Sequence, residues 1–326
     1  MKPVCSVVVR AYNEEKHISK LFAGIRQQTL TDVQIILVDS GSTDRTVEIA
    51  QKFDVEVVSI DPKEFTFGRS LNKGISHAKA DILVFASAHV YPVYPDWLEY
   101  MVSPFSDSRV AVCYGKQRGT KDSKFSEQQV FYHWFPENSQ LQEENPFCNN
   151  ANAAIRRSLW LEHPYDETIP ALEDLAWAKW AMQRGFKVHY SAEAEIVHIH
   201  HETWKGVYNR YRREGMALKQ IYPEAHFSIG DLYRLLRANI LADLKAARAQ
   251  RVVSSQLLPI VRFRWMQFWG TYQGYRQSNH ALNWQMKRTF YYPNAELNGK
   301  NQPDHRITPI QYQEEKHIKP QEGEGK

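Results

Sequence analysis

Residues 4–15 read VCSVVVRAYNEE, a continuous β-branched run that ends in polar residues. An uninterrupted apolar run of this length is typical of a strand that is buried on both faces of a parallel sheet. The polar residues lead into a predicted helix that ends at about Gln28, and a second apolar run, QIILV, follows at residues 34–38. This stretch therefore predicts a β-α-β unit at the start of the chain.

The same alternation continues further along the chain. We predict strands at residues 55–60 and 82–86, with helices that end near Lys52 and span residues 67–77. Strands that alternate with helices through short connections predict an α/β fold with a doubly wound, mostly parallel sheet. Ligands of such sheets bind beyond the carboxyl ends of the strands, and we expect Asn13, Asp39 and His89 to lie on that rim.

Two common nucleotide-binding motifs are missing from the sequence. There is no G-x-G-x-x-G after the first strand and no G-x-x-x-x-G-K-S/T anywhere in the chain. A dinucleotide-binding Rossmann site and a P-loop are therefore not expected. A nucleotidyltransferase on a similar sheet should carry a glycine-rich loop after its first strand, and residues 10–13 read RAYN instead.

The composition predicts a globular protein in one large or two unequal domains, since 43% of the residues are hydrophobic. Cys5, Cys113 and Cys148 are widely spaced and form no zinc motif or disulfide framework, so we expect a reducing, cytoplasmic compartment. A strand is predicted directly after Met-Lys-Pro, so no signal peptide is expected. No apolar run approaches the roughly 20 residues that cross a bilayer.

Four segments together resemble a known enzyme family. Residues 7–15 (VVVRAYNEE), 38–44 (VDSGSTD) and 67–74 (FGRSLNKG), followed by Glu173-Asp174, have the order and spacing of family 2 glycosyltransferases. The resemblance covers residues 3–215. It implies a GT-A fold and an inverting enzyme that uses a nucleotide-sugar donor and a saccharide or lipid-linked acceptor. Bacterial surface polysaccharide assembly is the usual setting of such chains.

Residues 171–185, ALEDLAWAKWAMQRG, predict a helix that begins after Pro170 with two carboxylates. The predicted apolar stripe consists of Leu172, Leu175, Ala176, Ala178 and Met182. Carboxylates are favoured in the first turn of any helix, so the pattern also fits an ordinary helix. The resemblance implies that Asp174, beside Glu173, is the general base that accepts the proton of the acceptor hydroxyl.

The resemblance also implies a nucleotide site in the loops after the first strands. Asp39 would accept the imide N–H of uracil or thymine; the alternative is that it caps the next helix, a role that Ser42 could fill. Arg69 would face phosphate or lie on the surface as a solvated arginine. The nucleotide-binding candidates are Ala11, Tyr12, Asn13, Glu14, Asp39, Arg69, Asn72 and Lys73.

The chain departs from the family at residues 85–89, FASAH, where Asp-x-Asp normally holds a metal ion. Ser87 and His89 replace the two carboxylates, which weakens the case for magnesium because Mg²⁺ prefers oxygen ligands. His89 could bind manganese or another transition metal, contact phosphate or sugar, or be structural. His198 and His200 share one face of a predicted strand. Candidate metal ligands are thus His89, His198 and His200, for Mn or Mg.

Two further sets of residues are assigned from this pattern. The candidates for contact with the donor or acceptor sugar are Ser87, His89, Asn149, Asn150 and Asn152, with turn chemistry as the alternative for the asparagines. The candidates for stabilising the leaving diphosphate are Arg69, His89, the pair His198 and His200, and Arg210 or Arg212.

Residues 205–288 carry fifteen lysines and arginines against four acids, although the whole chain has a net charge of only +4. We predict a catalytic domain at residues 1–215, a helical region at 216–293 and a polar, flexible tail at 294–326. Basic residues beside aromatics predict peripheral contact with an anionic membrane, at the inner face of the cytoplasmic membrane. The alternative is a packed helical subdomain with a solvated basic face. No nucleic-acid-binding motif accompanies the charge, so no nucleic acid partner is expected.

Two other functions remain open from the sequence. A catalytically silent nucleotide-sugar or carbohydrate-binding module is compatible with the missing Asp-x-Asp. A membrane-surface scaffold is compatible with the basic helices. The intact Glu173-Asp174 pair favours the enzyme.

Overall fold

A computed structural model describes residues 2–200, 202–276 and 308–312 of the chain. Within these residues, one sheet contains the strands β1 (Cys5–Ala11), β2 (Val33–Asp39), β3 (Glu56–Ser59), β4 (Ile82–Ser87), β5 (Val90–Pro92), β6 (Val110–Arg118), β7 (Gln140–Gln142), β8 (Asn152–Arg156) and β9 (Lys187–His198). The helices are α1 (Ile18–Arg26), α2 (Thr46–Ala50), α3 (Phe67–Ile75), α4 (Trp97–Val102), α5 (Phe125–Trp134), α6 (Arg157–Glu162), α7 (Glu173–Met182), α8 (Trp204–Ile221), α9 (Ile229–Ala249) and α10 (Val253–Tyr275).

The strand order is β3-β2-β1-β4-β8-β6-β9-β5, and β7 pairs with β9. The four strands β3, β2, β1 and β4 are parallel, and β8 joins the sheet in the antiparallel direction. The predicted α/β fold with a mostly parallel sheet is therefore confirmed. Because parallel strands end at one edge, the residues that follow β1, β2 and β4 meet on one rim.

The first strand shows why its sequence is continuously apolar. Val8 packs into the core on one face of the sheet, whereas Val7 and Val9 pack into the core on the other face. All three side chains are at most 1% exposed. Alternate residues of a strand point to opposite faces, so a strand between two cores needs apolar residues at every position.

Helix α7 lies where two hydrophobic clusters meet. Trp177, Ala178 and Ala181 pack with the sheet, whereas Leu175 packs with the C-terminal helices. The single predicted stripe is therefore wrong in part, because two partners bury two sides of the helix. Leu172 does not begin the helix but precedes it in the left-handed conformation, with φ of 58°.

The predicted domain boundary at residues 215 and 216 falls inside the continuous helix α8 and needs correction. Helix α10 packs closely on this helix through glycines. A Cβ atom on Gly270 would lie 2.5 Å from the Tyr208 carbonyl oxygen, and one on Gly215 would lie 2.8 Å from the Thr271 carbonyl oxygen. The helical region is thus packed against the end of the predicted catalytic domain rather than separate from it.

Most of the predicted tail at 294–326, and residues 277–293 of the predicted helical region, lie outside the described residues. The described segment 308–312 contacts the edge strand β5: the Ile310 N–H donates to the Val93 carbonyl at 3.0 Å, and the Tyr312 hydroxyl donates to the Pro92 carbonyl. In the part of the chain that the structure describes, no helix combines the length and hydropathy needed to span a membrane.

Candidate active site

A cleft of about 530 Å³ opens at the carboxyl ends of β1, β4 and β9. The first turn of α7 and one face of α8 close it. The predicted site residues that line the cleft are Glu14, Ser87, His89, Asn149, Asn150, Glu173, Asp174, His198, His200 and Arg210. The fold therefore brings the carboxylate pair and the three histidines, which are far apart in the sequence, to a single cavity.

Asp174 lines this cleft and, like Glu214, makes no ion pair among the described residues. Its Oδ2 accepts the Asn150 backbone N–H at 2.8 Å, and its Oδ1 accepts the Leu175 N–H at 2.8 Å. Burial, and next the charge of Glu173, raise the pKa of Asp174 to about 7. A partly buried carboxyl group with a pKa near neutrality is suited to accept and release a proton.

Glu173 is held differently from its neighbour. Its Oε1 forms an ion pair with Arg10 Nη1 at 3.1 Å, and Arg10 Nη1 also donates to the Phe67 carbonyl at 3.1 Å. The guanidinium carbon of Arg10 lies 5.0 Å from the centre of the Phe67 ring. Arg10 thus neutralises one member of the pair and leaves Asp174 available. Arg10 was not among the predicted site residues, although its position in the first strand motif was a signal.

His89, His198 and His200 form one cluster, and each offers a nitrogen within 4.8 Å of the nitrogens of the other two. The ring centres of His198 and His200 are 4.0 Å apart, and those of His89 and His198 are 5.1 Å apart. Burial, and next the neighbouring His200, His89 and Arg210, hold the pKa of His198 well below its usual value. His198 is therefore neutral, which is the form of imidazole that binds metal ions.

The Nδ1 atom of each histidine faces a side-chain oxygen at 2.8 Å. Glu14 pairs with His89, Gln117 with His198, and Glu127 with His200. Gln117 and Glu127 were not identified from the sequence, because nothing local relates them to the histidines that they contact.

The predicted nucleotide loops are joined at the ends of β1 and β2. Asn13 has φ of 56°, and its side chain accepts the Thr43 N–H at 2.8 Å. Asp39 accepts the N–H groups of Gly41 and Ser42 at 3.1 and 3.2 Å. Neither Asp39 nor Ser42 caps α2, since Asp44 accepts the Thr46 N–H at the start of that helix. Ala11 is buried and Tyr12 is exposed beside this loop pair.

The prediction that Asn72 faces the nucleotide needs correction. Its side chain accepts the Trp160 Nε1–H at 2.9 Å and donates to the Tyr165 carbonyl at 2.9 Å. Arg69 donates from Nε to Glu167 at 2.8 Å, so its charge is paired outside the cleft. Lys73 is exposed on the same helix. Asn72 on α3 thus forms hydrogen bonds with Tyr165 and Glu167, which lie 93 and 95 residues further along the chain.

Asn152 also requires correction as a sugar-binding candidate. It is 0% exposed, donates to the carbonyl groups of Ala194 and Lys116 at 2.8 and 3.2 Å, and accepts the Trp97 Nε1–H at 2.9 Å. These bonds join strands within the sheet and explain why a polar residue occurs in β8. Of the three asparagines, Asn149 and Asn150 line the cleft.

Helix α8 contributes three charged side chains to the cleft: Arg210, Arg213 and Glu214. Their spacing places them on one face of the helix, whereas Arg212 is exposed outside the cleft. Arg213, and not the predicted Arg212, is thus the arginine that lines the cleft beside Arg210. Arg210 Nη2 pairs with Glu127 at 2.7 Å and with Glu202 at 2.8 Å. Arg213 stacks over the Phe67 ring at 4.9 Å and has no ion-pair partner among the described residues.

Comparisons with known proteins agree with this fold. The family model described as "Glycosyl transferase family 2" matches residues 6–162. The chain is 28% identical over 224 residues to the O-antigen chain rhamnosyltransferase RfbN of Salmonella typhimurium, covering 65% of this chain and 71% of that protein. The O-antigen chain rhamnosyltransferase WbaN of Salmonella anatum is 29% identical over 227 residues. The aligned part covers 66% of this chain and 72% of WbaN.

Two solved structures share the fold. The mannosyltransferase PcManGT from Pyrobaculum calidifontis superposes with a TM-score of 0.55 at 18% identity, covering 84% of this chain and 85% of that one. Staphylococcus aureus TarS 1–349 in complex with UDP superposes with a TM-score of 0.52 at 15% identity, covering 84% and 91%. The fold and the family match together define the class of this protein as a glycosyltransferase with a GT-A fold. More particularly, the chain contains a glycosyl transferase family 2 domain, which the family model matches over residues 6–162.

Proposed function

We propose that this enzyme transfers a sugar, with inversion, from a nucleotide sugar to a hydroxyl group of a saccharide or lipid-linked acceptor in bacterial surface glycan assembly. One observation carries the proposal: Asp174, unpaired and with a pKa of about 7, lines the same cleft as the histidine cluster. A proton acceptor and a set of groups suited to a diphosphate are the two requirements of this reaction.

The proposed reaction is a single displacement. Asp174 takes the proton of the acceptor hydroxyl while that oxygen forms a bond to the anomeric carbon. The bond from this carbon to the phosphate oxygen breaks, and the nucleoside diphosphate leaves with the electron pair. Arg213 at the mouth of the cleft is the cation that can interact with the departing charge, because Arg210 is already paired with two glutamates.

The proposed partners are supported by the similar proteins. RfbN is an O-antigen chain rhamnosyltransferase, TarS has been crystallised with UDP-GlcNAc, and PcManGT with GDP-Man and Mn²⁺. These similar proteins support a nucleotide-sugar donor for this chain. The Asp39 side chain at the joined loops is the proposed contact for the nucleotide base, and Asn149 and Asn150 are the proposed contacts for sugar hydroxyls.

The proposal includes a divalent cation, since PcManGT, which shares the fold, was solved with Mn²⁺. In this chain His89, His198 and His200 would hold it, and the buried His198 Nε2 has no hydrogen-bond partner among the described residues. A buried polar atom without a partner is costly, so this donor set fits a bound cation. The cation would supply positive charge beside the diphosphate.

Peripheral contact with an anionic membrane is also part of the proposal. Leu257, Leu258, Val261 and Trp265 are exposed on α10, and Leu258 is 78% exposed. Arg251 and Arg262 lie on the same stretch of chain. Exposed apolar side chains beside basic ones favour a membrane surface, where a lipid-linked acceptor would be found.

The test is turnover with a panel of nucleotide sugars, measured as release of nucleoside diphosphate in the presence of candidate acceptors. Asp174→Asn should abolish transfer and retain donor binding. The exposed Asp122 provides a matched control, and Asp122→Asn should leave turnover unchanged. Unaltered transfer by Asp174→Asn would contradict the mechanism, and donor binding without any turnover by the native protein would favour a silent binding module.

A further inference from the structure

Three further side chains contact the histidine cluster, and we call them the hydrogen-bonding shell: Glu14, Gln117 and Glu127. These residues come from the loop after β1, from β6 and from α5, and each places an oxygen 2.8 Å from one Nδ1 atom. Gln117 and Glu127 are 0% and 2% exposed. Three separate elements thus hold the three imidazole rings in one cluster.

The hydrogen-bonding shell determines which nitrogen of each imidazole carries the hydrogen and which carries the lone pair. A carboxylate oxygen can only accept a hydrogen bond, and so can the Gln117 oxygen, so each Nδ1 carries the hydrogen and each Nε2 carries a lone pair. The His198 Nε2 atom is buried and has no hydrogen-bond partner among the described residues. Neutral imidazoles whose other nitrogen donates to a carboxylate or carbonyl oxygen are the usual form of histidine metal ligands.

The chemistry of three imidazoles discriminates among cations. Mg²⁺ binds oxygen ligands and gives up its water reluctantly, whereas imidazole suits zinc, cobalt, iron and related ions. A metal site with a single protein carboxylate as ligand needs the nucleotide to supply further ligands. Three protein ligands in one cluster can hold an ion without it.

We propose that the three histidines, held by the hydrogen-bonding shell, form a nitrogen-donor metal site. This site binds a divalent transition-metal ion in the absence of nucleotide and discriminates against Mg²⁺. The inference rests on the proposed function, because it names the class of cation for the same cleft. Glu127 is a positioning residue for this site, because it orients His200.

Glu127 connects the cluster to α8. Its Oε1 pairs both with His200 Nδ1 at 2.8 Å and with Arg210 Nη2 at 2.7 Å, and Arg210 also pairs with Glu202. A guanidinium beside a bound cation would repel it, and the two glutamates offset this charge. Loss of Glu127 therefore removes the orientation of His200 and part of the neutralisation of Arg210.

The experiment measures metal binding rather than turnover. Metal-free full-length protein is titrated in the absence of nucleotide with Co²⁺, followed by visible absorption, and with Zn²⁺, Mn²⁺ and Mg²⁺, followed by calorimetry. We expect one Co²⁺ or Zn²⁺ per chain, bound at least about 100-fold more tightly than Mg²⁺. His198→Ala should abolish binding, and Glu127→Ala should weaken it by about 10- to 100-fold. His163→Ala is the matched control, since His163 stacks on Trp180 outside the cleft.

The outcomes separate the site from the proposed function. Mg²⁺ affinity within tenfold of Zn²⁺, or unchanged Co²⁺ binding by His198→Ala, overturns the site. Unchanged Co²⁺ binding by Glu127→Ala overturns the role of Glu127, and Glu127→Gln serves if the alanine variant does not fold. If Co²⁺ binds as expected but no nucleotide sugar is consumed, the proposed function fails and the site stands. If transfer proceeds with chelator and no ion binds, the site fails and the function stands.

Discussion

Arg10 lies 3.1 Å from Glu173 and makes an ion pair with it, while Asp174, the next residue, has only backbone N–H partners among the described residues. Two adjacent carboxylates in one turn of a helix therefore have different environments. Arg10 also lowers the pKa of Asp174 through its charge, against the larger effects of burial and Glu173 that raise it.

Arg10→Gln should move the acidic limb of the pH–rate profile to higher pH. Without the guanidinium, the charge of Glu173 is no longer offset, so Asp174 retains its proton to higher pH. We expect turnover to fall at pH 7 and to recover in part at pH 8.5. Arg109→Gln, which breaks a surface pair with Asp107, is the control. An unshifted profile in Arg10→Gln would show that the pair does not tune the base.

The native enzyme should lose activity in acid. Asp174 must be ionised to accept a proton, and its pKa is about 7. We therefore expect kcat/KM to fall about tenfold per pH unit well below pH 7 and to level off above it. The profile is measured at saturating acceptor with a donor that does not itself titrate in this range. A flat profile between pH 5 and 8 would exclude Asp174 as the essential base.

Asp174→Asn should stabilise the fold at alkaline pH. The pKa of Asp174 is raised from 3.8 to about 7, so the folded protein holds a proton that the unfolded chain has released. Stability from this group is present at low pH and is lost as the pH rises from about 4 to 7. We expect a gain in the free energy of unfolding on the order of 1–2 kcal/mol at pH 8 and little gain at pH 4. Thermal melts at the two pH values measure it, and an equal shift at both would contradict the assignment.

Arg213→Gln should weaken binding of nucleoside diphosphate or of the reacting donor, whereas Arg212→Gln should not. The two arginines are neighbours on α8, but only Arg213 lines the cleft. Loss of one charge-assisted contact costs about 1.5–3 kcal/mol, so we expect roughly a 10- to 100-fold effect on kcat/KM or on the dissociation constant. The dependence of binding on salt should also decrease in this variant. Equal effects of the two substitutions would contradict a specific role of Arg213.

The Leu258→Ser and Val261→Ser double variant should reduce sedimentation with vesicles that contain anionic phospholipid. Both side chains are exposed on α10, and a membrane surface would bury them. Leu161→Ser on α6 is the matched control, since Leu161 is 59% exposed. Native protein that remains in the supernatant with anionic vesicles would remove the proposed membrane contact.

Several features of this protein were determined by local sequence. The apolar runs of β1 and β2 predicted buried parallel strands, because a strand between two cores must be apolar on both faces. The order of the segments at residues 7–15, 38–44 and 67–74, followed by Glu173-Asp174, was sufficient to predict the family. The histidine replacement at His89 was visible as a departure from that pattern. These features depend on residue type and short spacing, which a sequence displays directly.

Only the tertiary structure decided which polar side chains are free to act. Asn72 and Asn152 look available in the sequence, but distant backbone groups and indoles engage them. Conversely, Glu14, Gln117 and Glu127 contact their histidines across 75, 81 and 73 residues. Arg213 rather than Arg212 enters the cleft because of how α8 is rotated against α10. Hydrogen-bond partners and helix rotation result from packing between segments far apart in the chain, and no local pattern of residues encodes them.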